Sequence, residues 1–212
     1  MQLRFTKIAL FPAALIPLAR LAWKALHDGL GANPIEVITH STGDWTLIFV
    51  LTTLSITPVR RITRQYWLIG IRRMVGLFAF FYGTLHFLTY IWLDKFFDIH
   101  EMLKDIAKRP FITVGFSAFV LMIPLALTST AWSIRLLGGK NWQRLHRLIY
   151  LTGILGVIHY LWLVKADRRK PLAYGFVLSL LLLYRVAVWL SEKRKRPALP
   201  AAAQSRAEVT KA

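Results

Sequence analysis

Residues 141–160 read NWQRLHRLIYLTGILGVIHY. The stretch is apolar enough to form one buried helix, yet it carries His146 and His159. At about 1.5 Å and 100° per residue, their spacing separates the two imidazoles by roughly 19–20 Å in depth and ~140° around the axis. One metal ion cannot use both, since that needs i, i+4 spacing on one face. The two histidines must therefore serve two levels.

Composition identifies the medium. The chain has 212 residues, 56% of them hydrophobic, and a mean hydropathy of +0.47. That is a membrane composition, so an all-α integral membrane fold is expected. The formal net charge of +18 would suggest nucleic acid in a soluble domain. Here Lys and Arg cluster between apolar runs, so they read as topological anchors facing membrane lipid, with no nucleic-acid partner. The chain has no Cys, which excludes disulfides, iron–sulfur ligation and covalently attached c-type heme.

Six apolar segments near bilayer length are expected as a six-helix transmembrane bundle: Lys7–Ala25, Asp44–Val59, Met74–Leu93, Phe111–Thr130, Leu148–Val164 and Leu172–Leu190. Pro110 and Pro171 stand at the starts of two of them, where a missing N–H costs least. The first segment reads as a retained anchor, because Pro12 and Arg20 lie within it and no small-residue cleavage site follows. One set of flanks holds 17 of the 28 Lys/Arg and the other holds 9, which places both termini in the cytoplasm. The short basic loop KADRRKP (165–171) runs against that assignment. Residues 1–190 form the transmembrane domain; 191–212 read as a basic, disordered cytoplasmic tail.

The third and fifth segments run parallel. His86 lies thirteen residues after Arg73, and His159 thirteen after His146, so His86 and His159 fall at one depth. Two imidazoles at one level on two helices can ligate a heme iron from opposite sides. Each follows a glycine by three residues (Gly83, Gly156), which would leave room beside a macrocycle. The bland alternatives are a histidine hydrogen-bonded between helices and glycines serving close helix packing. His146 has Arg73 opposite it rather than a histidine. It suits either a second heme with an unusual partner, a quinone or flavin contact, or no more than an interfacial position. Arg72 and Arg73 suit heme propionates or a flavin phosphate, or act as anchors. His27, His40 and His100 fall in outer loops, 27–44 reading as a turn-rich loop and 94–106 as an amphipathic interfacial helix.

RRMVGLFAFFYGTLHFLTY (72–90), LALTSTAW (125–132), GGKNWQRLHRLIYL (138–151) and IHYLWLVK (158–165) resemble the MsrQ family. These are the heme-binding membrane subunits of the bacterial protein-methionine-sulfoxide reductase system, within the ferric-reductase-like transmembrane superfamily. GLGANPIEVITHSTG (29–43) and LSITPVRR (54–61) match as well. The resemblance implies one or two b-type hemes, with His86, His146 and His159 as metal ligands, in the bacterial inner membrane. It further implies electron delivery to the periplasmic molybdopterin reductase MsrP, from the quinone pool as quinol, with FMN in some members. The chain would then be an electron-transfer subunit, with methionine sulfoxide reduction occurring on the partner. Ser191–Ala212 is too short for FAD or nicotinamide domains, and no G-x-G-x-x-G fingerprint is present. The alternatives are a stand-alone ferric reductase fed by a separate flavin reductase, and a His-lined transporter.

Overall fold

The computed structural model describes residues 2–194; the expected tail from 195 onward lies outside them. Among the described residues all regular structure is helical. The α-helices are α1 (Gln2–Leu26), α2 (Pro34–Thr63), α3 (Ile69–Leu88), α4 (Ile99–Lys108), α5 (Pro110–Leu127), α6 (Ala131–Leu137), α7 (Gly139–Leu145), α8 (Leu148–Leu163) and α9 (Arg169–Arg194). A 3₁₀ turn leads into α3, and a π-helical segment, Thr89–Asp94, extends it. Helix α9 continues four residues past the expected domain boundary at 190.

The second helix is the hub. It packs against α1, α3, α8 and α9, while α5 pairs with α8 and also touches α3. Leu47, Val50, Leu51 and Leu54 of α2 are buried, as are Val75, Phe78, Ala79 and Tyr82 of α3. Phe49 stacks on Phe78 and Tyr82 at 5.7 and 5.3 Å. Most other large apolar side chains face outward, as they must when the surroundings are hydrocarbon.

Among the described residues four segments are long and apolar enough to cross a membrane: Gln2–Leu26, Tyr66–Asp94, Pro110–Leu127 and Arg169–Arg194. The other two expected spans differ in kind. Helix α8 has 16 residues, about 24 Å, against a hydrocarbon core of about 30 Å. The expected short span Asp44–Val59 is the middle of the 30-residue α2, which carries Asp44 and many Thr and Ser.

Two expectations about segment limits are corrected. Residues 27–44 are not one loop, because α2 begins at Pro34. Asn33 caps it by accepting from the Glu36 N–H, with Pro34 in the first turn, a start signal that turn-rich composition obscured. Residues 141–160 are not one helix either. Helix α7 ends at Leu145 with His146 as its cap, and α8 starts after Arg147, through i→i−3 backbone bonds from Arg147 and Tyr150. His146 itself fixes the break. Its ring stacks on Trp142 at 3.8 Å, and its Nε2 lies 3.0 Å from the Thr128 hydroxyl at the end of α5.

Besides its apolar packing on α2 and α3, α1 is held by one hydroxyl. The buried Tyr82 O–H donates to the Ala14 carbonyl at 2.8 Å and accepts from the Leu18 N–H at 3.2 Å. Those are the donor and acceptor of one helical i→i−4 bond, beside Pro17, so the phenol bridges a weakened turn of α1 and ties it to α3.

At the far end of α3, Asp105 of α4 is 7% exposed at its side chain and forms a tight ion pair with Lys95 at 2.6 Å. Arg109 Nε lies 3.2 Å away, and the Tyr90 O–H donates to the same carboxylate at 3.4 Å. Burial alone would raise the Asp105 pKa, but Lys95, then Arg109 and Tyr90, outweigh it and hold the carboxyl below the usual range. A depressed folded-state pKa contributes stability above the ordinary carboxylate value and loses it as pH falls through the folded value. Asp105→Asn should therefore lower the melting temperature of the detergent-solubilised protein at neutral pH. It should also flatten the acid limb of the melting-temperature profile relative to the parent.

Candidate functional site

His86 and His159, expected at one depth, lie together: their ring centroids are 6.1 Å apart, with planes at 78°. His86 is near the C-terminal end of α3, and His159 is near that of α8. Each imidazole is held by one backbone carbonyl. His86 Nδ1 lies 3.0 Å from the Thr39 oxygen of α2, and His159 Nδ1 lies 2.7 Å from the Phe111 oxygen of α5. A carbonyl oxygen only accepts, so Nδ1 carries the proton in both rings. Each Nε2 is then left with a lone pair, the tautomer that metal-ligating histidines adopt.

The same device exposes both carbonyls. Gly43 lies four residues after Thr39, and Gly115 four after Phe111. A Cβ on Gly43 would come 3.2 Å from His86 Nδ1 and Cε1, and one on Gly115 would come 2.6 Å from His159 Nδ1. The bare helix surface at each glycine therefore seats an imidazole. This corrects the role expected for Gly83 and Gly156. Their absent side chains face Thr46 and Met122, and Leu47, respectively. Those two glycines serve close helix packing, because what opposes a glycine is set by the neighbouring helix rather than by its own sequence spacing. No pattern in the sequence linked Gly43 to His86 or Gly115 to His159.

The pair fits a macrocycle-bound metal. Metal–imidazole bonds of about 2 Å on opposite sides of one ion, plus the nitrogen-to-centre distance of each ring, put the centroids on the order of 6 Å apart. Among the described residues no group of three or more His, Cys, Asp or Glu is placed to hold a bare metal ion. His86 and His159 would hold the iron of a heme, which brings its remaining ligands with it.

The other expected site residues lie elsewhere. His146 is far from the pair, at the end where α5 stops and α8 starts. Burial and then the nearby Arg72 charge lower its pKa, so it is neutral at physiological pH. Arg72 is half-buried and close to Tyr150 and Arg185, whereas Arg73 points outward and joins neither group. His40, expected in a loop, is on α2 with its ring 6.4 Å from that of Tyr160. Beside it Asp44 pairs with Lys170 at 3.3 Å, tying α2 to α9. His27 and His100 are exposed, as expected.

The two glycine contacts give a graded test. In hemin titrations of the purified protein, Gly115→Ala should weaken binding most and Gly43→Ala less. Gly83→Ala, whose Cβ would sit at an ordinary 3.5 Å, should bind like the parent.

Residues 39–157 match the family model described as the ferric reductase like transmembrane component. A protein-methionine-sulfoxide reductase heme-binding subunit MsrQ from Herminiimonas arsenicoxydans is 57% identical, covering 92% of this chain and 90% of that protein. The subunit of the same name from Bordetella pertussis is 55% identical over 86% and 89%. That from Rhodospirillum rubrum is 48% identical over 90% and 92%. No solved structure matches the chain. With relatives this similar along nearly its full length, and with His86 and His159 packed ring to ring inside a helical bundle, the chain belongs to the MsrQ family of heme-binding subunits within the ferric-reductase-like transmembrane proteins.

Proposed function

We propose that this protein is a b-type cytochrome subunit of the bacterial inner membrane, passing electrons to the periplasmic molybdopterin methionine sulfoxide reductase MsrP. The observation that carries the reading is the pair of carbonyl-anchored imidazoles with free Nε2 atoms. The relatives named above, called heme-binding subunits of a methionine sulfoxide reductase, supply the system. In this reading His86 and His159 hold one heme iron, which supplies reversible one-electron chemistry when bound. Held by both His86 and His159, the group would suit electron transfer rather than ligand activation. The Thr39 and Phe111 carbonyls keep both rings in one tautomer and raise their basicity as ligands. Gly43 and Gly115 let the rings approach those carbonyls.

His146, Arg72 and Arg73 define the opposite end, which is assigned to the cytoplasmic side with both termini. Electrons enter there from the respiratory quinone pool as quinol, directly or through FMN. His146 Nε2 is engaged by Thr128 and among the described residues no second imidazole pairs with it, so we assign one bis-histidine heme and give His146 a role on the donor side. Residues 1–190 form the heme-binding domain. Methionine sulfoxide reduction takes place on the partner, which this subunit supplies to repair oxidised periplasmic proteins.

A pyridine hemochrome assay with per-protein stoichiometry tests the pairing. His86→Ala and His159→Ala should each abolish the same b-type spectrum, and His146→Ala should leave it largely intact. Full heme retention by either of the first two variants ends the reading. Electron flow from the reduced protein to MsrP, compared with flow to ferric chelates, separates a reductase subunit from a stand-alone ferric reductase.

A further inference from the structure

A second polar cluster lies among the helix ends near His146, and of its members only Arg72 enters the reading above. Arg185 of α9 donates from one terminal nitrogen to the Tyr150 hydroxyl at 2.9 Å and from the other to the Leu54 carbonyl at 2.8 Å. Its guanidinium also lies 4.9 Å from the Tyr150 ring centre. Arg72 of α3 is within charge range of Arg60, Arg185 and Tyr150. Arg60 of α2 stands over the Tyr66 ring at 6.0 Å. Three guanidiniums from three helices thus converge around the start of α8.

Their charges are uncompensated. Among the described residues none of the three forms an ion pair with a carboxylate; the acid near this end, Glu192, is taken by Arg61 at 3.1 Å. Three polar atoms here are fully buried with no hydrogen-bond partner: Arg60 Nε, Arg185 Nε and Thr57 Oγ1. Leu54, Thr57 and Arg60 follow one another at i, i+3 spacing, so these groups share one side of α2. Like charges gathered in a low-dielectric setting with idle donors are costly unless an anion meets them.

We propose that Arg60, Arg72, Arg185 and Thr57 form a binding site for a phosphate group carried on an anionic headgroup or a soluble phosphate ester. Donors arriving from three helices suit a tetrahedral oxyanion, whose oxygens are spread in space, better than a planar carboxylate. The depth fits as well. Arg60 lies three residues before the end of α2, so the cluster sits where the helix bundle meets the headgroup level. A phosphate there would bridge α2, α3 and α9 and supply the acceptor that Arg60 Nε and Arg185 Nε lack.

Thermal melts of the detergent-solubilised full chain test this without reference to heme content. Short-chain phosphatidylglycerol should raise the melting temperature saturably, and phosphatidylcholine should not. Adding glycerol phosphate as a soluble ester distinguishes the sources: a rise with both probes assigns the phosphate alone, and a rise with the lipid alone assigns a headgroup in its membrane setting. Arg60→Gln should weaken the apparent affinity about tenfold, the size expected for one charge-assisted hydrogen bond. Thr57→Val should weaken it less. Neither side chain has a hydrogen-bond partner at the buried atom concerned, so both variants should fold even where Arg185→Gln does not. The proposal is overturned by no phosphate-dependent rise in the parent protein. It is equally overturned by a rise that Arg60→Gln and Thr57→Val leave unchanged.

Discussion

The structure turns on one kind of hydrogen bond, made twice: an imidazole N–H given to a helix carbonyl that would otherwise be shielded. In a helix each carbonyl is covered by its own turn and by the side chain four residues on. Where that residue is glycine, the oxygen can accept a second donor from outside. Thr39 and Gly43 do this for His86, and Phe111 and Gly115 do it for His159. The bond fixes ring orientation and tautomer together, so both nitrogens that would meet a metal are prepared before any metal arrives. Everything larger serves this pairing. Helices α2 and α3 form one slab, α5 and α8 another, and each histidine is anchored across the slab to which it belongs.

That arrangement explains why the site was half legible. Depth along a membrane helix can be counted from charged anchors, so the register of His86 with His159 followed from Arg73 and His146. Lateral neighbours cannot be counted that way. The glycines that seat the rings lie 43 and 44 residues away in sequence from the histidines they serve, and the nearer ones, Gly83 and Gly156, pack against Thr46, Met122 and Leu47 instead. Periodicity describes a helix's own faces and is silent about the surface each face meets.

The helix limits show the same division. Apolar periodicity gave no hint that residues 141–160 break at His146, because the break is fixed by tertiary contacts from His146 and Trp142 to Thr128. The early start of α2 was different. Asn33, Pro34 and Glu36 are a local start signal, and it was outweighed by the glycines just before it. The break at His146 depends on contacts the sequence does not encode locally, whereas the start of α2 is written in adjacent residues. The basic residues were read mainly as orientation markers. Folding shows that some, such as Arg73, point outward, while Arg60, Arg72 and Arg185 gather around one spot.

The break between α7 and α8 works as a joint. Had His146 and His159 ridden on one continuous rod, any shift at the His146 end would have tilted the His159 ring directly. As folded, the segment bearing His146 is fastened to the end of α5 through Thr128, while the ring of His159 is fastened to the opposite end of that helix through Phe111. A displacement at the His146 end can then be absorbed in the corner at Arg147. The His159 ring keeps its own anchor at the Phe111 carbonyl.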